Sequence, residues 1–285
     1  MKWRVLISGK TNPYYNMAID EAIYHLIAQG ESPPTIRFYD WKPSSFSYGY
    51  NQDIKKELDL EKVKKSPYSY VRRPTGGRLV LHDNEVTYAV MAPIAEEMSG
   101  PLSVAYLRIA NALKKGFDNM GIKVDLSGHS LSRSEQRRNN NPCFSSSSLY
   151  ELTYERKKIV GSAQVRNNYA FLQHGSILVS NNQAVVADYL PGINSEEKMR
   201  VKTFLTKRTT TINSILGRSM SYEAVVANLE QGFYGQWKED SFYTETNFTE
   251  KERLLSDSLF YGKYAQIQWN QNKQFDKKVL THNQA

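Results

Sequence analysis

Cysteine is almost absent from this chain: Cys143 is the only one among 285 residues. A single thiol excludes an intrachain disulfide framework, which fits a reducing cytoplasm, and it cannot build a thiolate zinc site. Histidine is also scarce, and no two histidines stand at the i, i+4 spacing of a helical metal site. No metal and no cofactor are therefore expected. No stretch approaches the roughly 20 apolar residues of a membrane helix, and the apolar run after Met1 is too short for a signal peptide. The phosphate loop pattern Gly-x-x-x-x-Gly-Lys-Ser/Thr is missing, as are zinc-finger spacings and aromatic RNA-binding signatures. Strict alternation of strands and helices is missing too, which argues against a Rossmann-type domain. The expectation is a cytoplasmic protein that binds neither membrane nor nucleic acid.

What is present suffices for a large core. The chain is 40% hydrophobic and 12% aromatic, with 19 tyrosines, which favour strands and amphipathic surfaces. Its formal charge of +8 suits a basic surface that meets an acidic partner or an anionic ligand.

Local patterns give the outline. Residues 3–7 read as a strand. Asn16 is a good N-cap for a helix whose Ile19, Ala22, Ile23, Leu26 and Ile27 make one apolar face, with Asp20 and Glu21 near its positive end and Gly30 as its stop. Strands follow at 35–39, 46–48, 68–73, 79–82 and 86–91, with a helix over 53–65 and a hairpin around the Pro74–Gly77 turn. A helix over 103–120 carries Tyr106, Ile109, Leu113 and Phe117 on one side, and residues 122–124 return as a strand. Residues 127–141 have no apolar period and read as a mobile loop holding Arg133, Arg137 and Arg138. Strands are expected at 149–154, 158–165 and 171–179. Ser221 can cap a later helix, and Thr249 with Glu252 forms a capping-box pattern. Residues 270–285 read as a polar tail that frays. The sum is an α+β fold, a mixed and largely antiparallel sheet flanked by helices.

Three segments carry chemistry. Cys143 is followed fifteen residues later by Lys158 and a Gly161-Ser162-Ala163 turn. A free thiol with a pKa of about 8.5 is only a few per cent ionised at neutral pH, and a neighbouring ammonium that lowered it to about 7 would ionise roughly half. The plainer reading is a small buried hydrophobe, the commoner fate of a lone cysteine. In Arg72-Arg73-Pro74-Thr75-Gly76-Gly77-Arg78 the paired glycines let backbone approach a ligand, and the arginines can meet a carboxylate, a phosphate or an acidic partner; an ordinary hairpin turn is the plainer alternative. His82 ends a strand where it can touch substrate or move a proton, or simply finish the strand. His174 lies in an apolar strand as core or pocket lining. His25 reads as structural, and His129 and His282 as solvent-exposed.

Taken in order, these segments resemble the biotin/lipoate protein ligase and lipoyl-transferase superfamily, and within it the LipM-type octanoyltransferases. The resemblance rests on Asn16–Ala22, Ile36–Tyr39, Arg72–Arg78 with Leu81-His82-Asp83, Pro142-Cys143-Phe144, Lys158–Gln164 and Gln173–Leu178. It runs from about residue 3 to Trp269 and implies one acyltransferase domain over 1–269. That domain would have a ligase-like core of about 30–245 and a helical part over 246–269. It implies that an octanoyl thioester on acyl carrier protein is the donor, that Cys143 forms an acyl-enzyme, and that a lysine on a lipoyl-accepting domain such as the glycine cleavage H protein takes the group as an amide. Cys143 and Lys158 would be catalytic. Arg73, Gly76, Gly77, His82, Gly161, Ser162, Ala163 and His174 would bind substrate around a hydrophobic tunnel. Burying seven methylene or methyl groups at about 0.8 kcal/mol each gives roughly 5–6 kcal/mol, enough to select a medium chain. The basic 127–141 loop would help to dock acidic carriers.

Three other readings remain open at this point. An ATP-dependent lipoate–protein ligase shares the glycine turn and the lysine but needs no cysteine. An amidotransferase moving octanoyl from H protein to dehydrogenase subunits also uses one. A non-catalytic basic module that binds carrier proteins would need neither.

Overall fold

The computed structural model describes residues 1–127 and 151–280. Cys143, His129, His282 and the basic 127–141 loop, apart from Ser127, lie outside the described residues. The chain opens with strand β1 (Lys2–Thr11), helix α1 (Pro13–Ala28), β2 (Thr35–Trp41) and β3 (Ser45–Tyr48). Two short helices, α2 (Ile54–Glu57) and α3 (Leu60–Lys64), stand where the sequence suggests one, because Leu58 is extended and Asp59 caps a new start. Strands β4 (Ser69–Arg72), β5 (Val80–His82) and β6 (Glu85–Pro93) precede helix α4 (Leu102–Asn119). Then come β7 (Asp125–Ser127), β8 (Glu151–Tyr154), β9 (Lys157–Lys158), β10 (Val160–Arg166) and β11 (Ala170–Leu178). Residues 122–124, expected as a strand, only lead into β7.

The main sheet has six strands in the order β10-β11-β6-β2-β1-β12, the last being Ser241–Glu245. β1 runs parallel to both its neighbours, and the other pairs are antiparallel, so the sheet is mixed. Period-two alternation sends Val86, Tyr88 and Val90 to one face and Ala89 and Met91 to the other. The first face packs on α4 and the helix Tyr222–Gln236, through Ile109, Leu113, Leu229 and Phe233. The second packs on α1 and the helix Glu250–Leu259, through Met17, Ile23, Leu26 and Leu255.

A smaller sheet, β4-β3-β5, makes the third layer of contacts. The expected hairpin around the glycine pair is corrected here: β4 and β5 do not pair, because β3 lies between them, parallel to β4 and antiparallel to β5. The helix expected from Asn16 begins instead after Asn12, whose side chain accepts from Tyr14 N, with Pro13 in the first turn. Ser221 and the Thr249–Glu252 capping box act as their sequences suggest. Asn270, assigned by sequence to a fraying tail, is buried at the end of the helix Ile267–Asn272. Among the described residues no helix is long and apolar enough to cross a membrane.

Candidate active site

A cavity of about 320 Å³ lies where the second face of the main sheet meets the small sheet under α1. Its strand wall follows from register: Gly161 stands opposite Ser176, Ser162 opposite Gly175 and Ala163 opposite His174 on the β10–β11 pair. All eight residues expected to bind substrate line it, and so does Lys158. Cys143 lies outside the described residues.

The Pro74–Gly77 loop is held from within. Arg73 is buried, and its guanidinium donates to the carbonyls of Gly76, Arg78 and Ser47 and to Ser47 Oγ at 2.8 Å. It therefore shapes the loop's own backbone as well as facing the cavity. Arg72 does not reach the cavity. It donates to the carbonyls of Tyr50, Gln52, Trp269, Asn270 and Gln271, so the expected anion-binding role does not fall to it. Gly77 has φ +92°, a backbone conformation natural only to glycine. Gly49 crosses beneath it so closely that a Cβ there would lie 2.1 Å from Gly77 O.

Two imidazoles line the cavity, each set between a hydroxyl and a carboxylate. His174 Nδ1 is 3.1 Å from Asp20 Oδ2, and its Nε2 is 2.7 Å from Thr75 Oγ1. Burial pushes the His174 imidazole below its ordinary value, against the pull of Asp20. Burial alone would raise Asp20, but the Arg37 guanidinium 2.7 Å away and His174 hold it below the usual carboxylate range. With Asp20 ionised and His174 neutral, Nδ1–H donates to the carboxylate and Nε2 accepts from the Thr75 hydroxyl. A strand histidine thus fastens the glycine loop to α1. His82 Nδ1 is 2.7 Å from Glu85 Oε1, and its Nε2 is 2.6 Å from Ser47 Oγ.

Lys158 is buried at the end of β9, and its Nζ donates to Glu151 Oε1 at 2.7 Å. The ammonium is fixed in the wall rather than trailing in solvent. Sequence reasoning missed Asp20, Thr75, Ser47, Glu85 and Glu151 as supports of the site. Asp20 was visible but read as a partner of the helix dipole. Thr75 and Ser47 have their partners on distant strands, whereas Glu85 stands three residues from His82 and Glu151 seven from Lys158, near in sequence but not singled out there. Among the described residues no group of three His, Cys, Asp or Glu side chains is arranged to hold a metal ion.

Residues 12–234 match the lipoyl protein ligase A/B catalytic domain. The chain is 41% identical over 238 residues to "Octanoyltransferase LipM" of Macrococcus caseolyticus, covering 82% of this chain and 84% of that protein. It is 36% identical over 276 residues to the protein of the same name from Brevibacillus brevis, covering 94% and 98%. An archaeal bipartite lipoate protein ligase from Thermoplasma acidophilum shares the fold, with a TM-score of 0.80 at 24% identity over 97% of this chain and 99% of that one. The family match over most of the chain, with relatives of this identity along nearly its full length, establishes that it belongs to the lipoyl protein ligase A/B catalytic-domain family.

Proposed function

We propose that this chain is an octanoyltransferase of protein lipoylation. It takes octanoyl from acyl carrier protein, holds it as a thioester on Cys143 and passes it to a lysine of a lipoyl-accepting domain such as the H protein. In the first half-reaction the Cys143 thiolate attacks the donor carbonyl, a carbon–sulfur bond forms, and the carrier thiolate leaves. In the second, the neutral acceptor amine attacks, a carbon–nitrogen bond forms, the thioester carbon–sulfur bond breaks to regenerate the Cys143 thiolate, and the surplus proton on nitrogen passes to water. Both steps pass through a tetrahedral oxyanion that needs fixed donors.

The observation that carries this reading is the convergence on one cavity of Lys158, the Gly76-Gly77 turn, the Gly161–Ala163 strand and two held imidazoles. Trp41, Met17, Tyr39 and Leu102 complete a lining suited to an acyl chain. Names of relatives that match over most of their length support the octanoyl group as cargo. Lys158, held by Glu151, is the cation that would favour the thiolate of Cys143. The net charge of +8 suits acidic carriers.

Mass spectrometry of the enzyme mixed with octanoyl carrier protein tests the reading. The expected result is one octanoyl mass on the wild type and none on Cys143→Ala; the same adduct on both would refute the nucleophile. Transfer to purified H protein should proceed without ATP, and an absolute need for ATP would favour ligase chemistry instead. Lys158→Ala should raise the pH at which Cys143 is alkylated, and an unchanged pH–rate curve would reject that role.

A further inference from the structure

The β3–β5 register sets Ser45 opposite His82, so Ser47, two residues on, shares that face and is the diagonal neighbour of His82. Asp83 and Asn84, between β5 and β6, then turn the chain so that Glu85 meets the same imidazole. Ser47 Oγ lies 2.6 Å from His82 Nε2, and His82 Nδ1 lies 2.7 Å from Glu85 Oε1. A hydroxyl, an imidazole and a carboxylate in that order and at those distances are the parts of an activated serine nucleophile.

The direction of the protons follows from the donors around them. Thr87 Oγ1 donates to Glu85 Oε1 at 2.5 Å and Ser176 Oγ donates to Glu85 Oε2, so this carboxylate acts as an acceptor. The neutral imidazole then gives it Nδ1–H and turns the Nε2 lone pair toward Ser47. Arg73 Nη1, which can only donate, approaches Ser47 Oγ at 2.8 Å. The serine proton is thereby directed at Nε2. Of the two lone pairs on Oγ, one meets the guanidinium and the other is left for attack. The imidazole is also held in plane by the Trp41 indole, with centroids 4.0 Å apart and planes inclined by 14°. The second imidazole has similar partners but no such opening. Thr75, the hydroxyl on His174 Nε2, is fully buried and lies behind the cavity wall, whereas Ser47, though nearly as buried overall, is part of that wall.

We infer that Ser47 is a second nucleophile of this cavity, with His82 as its general base and Glu85 as a positioning residue, and that the chain hydrolyses medium-chain acyl esters and thioesters independently of Cys143. The acyl ligand rests on the transferase reading above; the nucleophile and the reaction go beyond it. The Ser47 hydroxyl proton passes to His82 Nε2 as Oγ attacks the acyl carbonyl. A carbon–oxygen bond forms, the carbon–sulfur bond of the thioester breaks, and the departing thiolate takes the proton from Nε2. Water then attacks the acyl-serine ester and gives a proton to Nε2. The bond to Oγ breaks, Oγ recovers that proton, and the free acid leaves. Arg73 and Lys158 line the same cavity, and their positive charges favour the oxyanion in both steps.

Two measurements on the full-length Cys143→Ala protein test this. In the first, an octyl fluorophosphonate is added. Attack of Oγ on phosphorus forms an oxygen–phosphorus bond, expels fluoride and sends the hydroxyl proton to Nε2, which leaves a stable adduct for peptide mass spectrometry. The expected result is one phosphonyl mass on the peptide that holds Ser47, suppressed by excess octanoate. In the second, hydrolysis of p-nitrophenyl octanoate is followed by release of nitrophenolate. It should exceed the buffer rate, and Ser47→Ala or His82→Gln in the same background should lower kcat about 100-fold or more. Glu85→Gln should lower kcat to a similar degree with KM changed no more than about twofold, a split that a loosened fold would not produce. The phosphonate label needs no substitution at Ser47, so it decides the matter if those variants do not fold. A folded Cys143→Ala protein that carries no phosphonyl mass on Ser47, that hydrolyses no faster than buffer, or that keeps its full rate after Ser47→Ala would overturn the inference and leave transfer through Cys143 intact. A wild type that forms no acyl-Cys143 yet labels at Ser47 would overturn the transferase reading and leave the second nucleophile standing.

Discussion

Gly49→Ala puts the packing beneath the Pro74–Gly77 loop to a direct test. The new methyl would sit 2.1 Å from Gly77 O and 2.9 Å from Gly76 C, all backbone. Ordinary non-bonded contact begins near 3.5 Å, so the two segments must separate by more than about 1 Å. Neither can retreat freely. Tyr50 N donates to Thr75 O at 2.8 Å, Arg73 N donates to Tyr48 O at 3.1 Å, and Gly49 N donates to Gln52 Oε1 at 2.8 Å. Overpacking of this kind costs about 1–3 kcal/mol. At about 2–4 °C per kcal/mol for a domain of this size, Tm should fall by several degrees. The loop is also a wall of the cavity, so a shift of about 1 Å should lower octanoyl transfer on the order of a hundredfold. Gly235→Ala is the control. It lies in the helix Tyr222–Gln236, where a Cβ meets only the Lys115 side chain, at 3.7 Å. That change should stabilise by up to about 1 kcal/mol and leave transfer untouched. Calorimetry and a transfer assay on both variants decide the matter. A Gly49→Ala protein with wild-type Tm and rate would refute the argument, and a lowered Tm with a normal rate would show that the loop's position does not govern the reaction.

Arg37→Leu leaves the Asp20 carboxylate buried without its guanidinium, and urea denaturation should show a loss of about 3–5 kcal/mol. His174, whose folded pKa is depressed from 6.5, makes the unfolded chain bind the extra proton first as pH falls. Stability should therefore decline from about pH 7 downward until the folded pKa is reached, and His174→Gln should flatten that slope of Tm against pH; a slope identical to wild type would remove His174 as its source. Asn270→Ala leaves Arg72 N and Tyr264 O without their partners, at 2.8 and 2.7 Å respectively. At about 1–3 kcal/mol per orphaned group, the midpoint of urea unfolding should move clearly downward.

The features that sequence made legible are those whose cause is local. The apolar face of α1, the Ser221 cap and the Thr249–Glu252 box depend on residues within a few positions of each other, and each formed. Five of the six strands of the main sheet were legible for the same reason, through alternation; β12 was not expected, and its place beside β1 is set by long-range pairing. Pairing was not legible. Pro74–Gly77 looks like a hairpin turn, yet β3 inserts between the strands it joins, a choice made by packing and not by the turn. The start of α1 was misplaced because Asn16 is a good cap by type. The structure uses it inside the helix, where Oδ1 accepts from Arg37 at 2.7 Å and Nδ2 donates to Asp40 O at 3.0 Å. That role is invisible until β2 is laid against α1.

The placement of charge changes the meaning of the basic composition. Arg4, Arg37, Arg72, Arg73, Lys158 and Lys263 are all buried, so these six of the 37 basic side chains contribute little to the surface field. Arg4 and Arg37 are matched by Glu252 and Asp20. Arg72 instead collects the carbonyls of Trp269, Asn270 and Gln271, where the last turn of the helix Ile267–Asn272 presents unsatisfied acceptors and the negative end of its dipole. Asn270 answers by accepting from Arg72 N, and Tyr48 O–H donates to Asn270 O. The C-terminal segment is thereby clamped to β3 and β4, the two strands that lead directly into Gly49 and the Pro74–Gly77 loop. The double arginine divides its work: the first residue ties the chain's end to the small sheet, and the second bends the glycine loop over the cavity. A disturbance of that distant helix should therefore be felt in the loop, through two hydrogen-bonded strands rather than through any contact with the ligand.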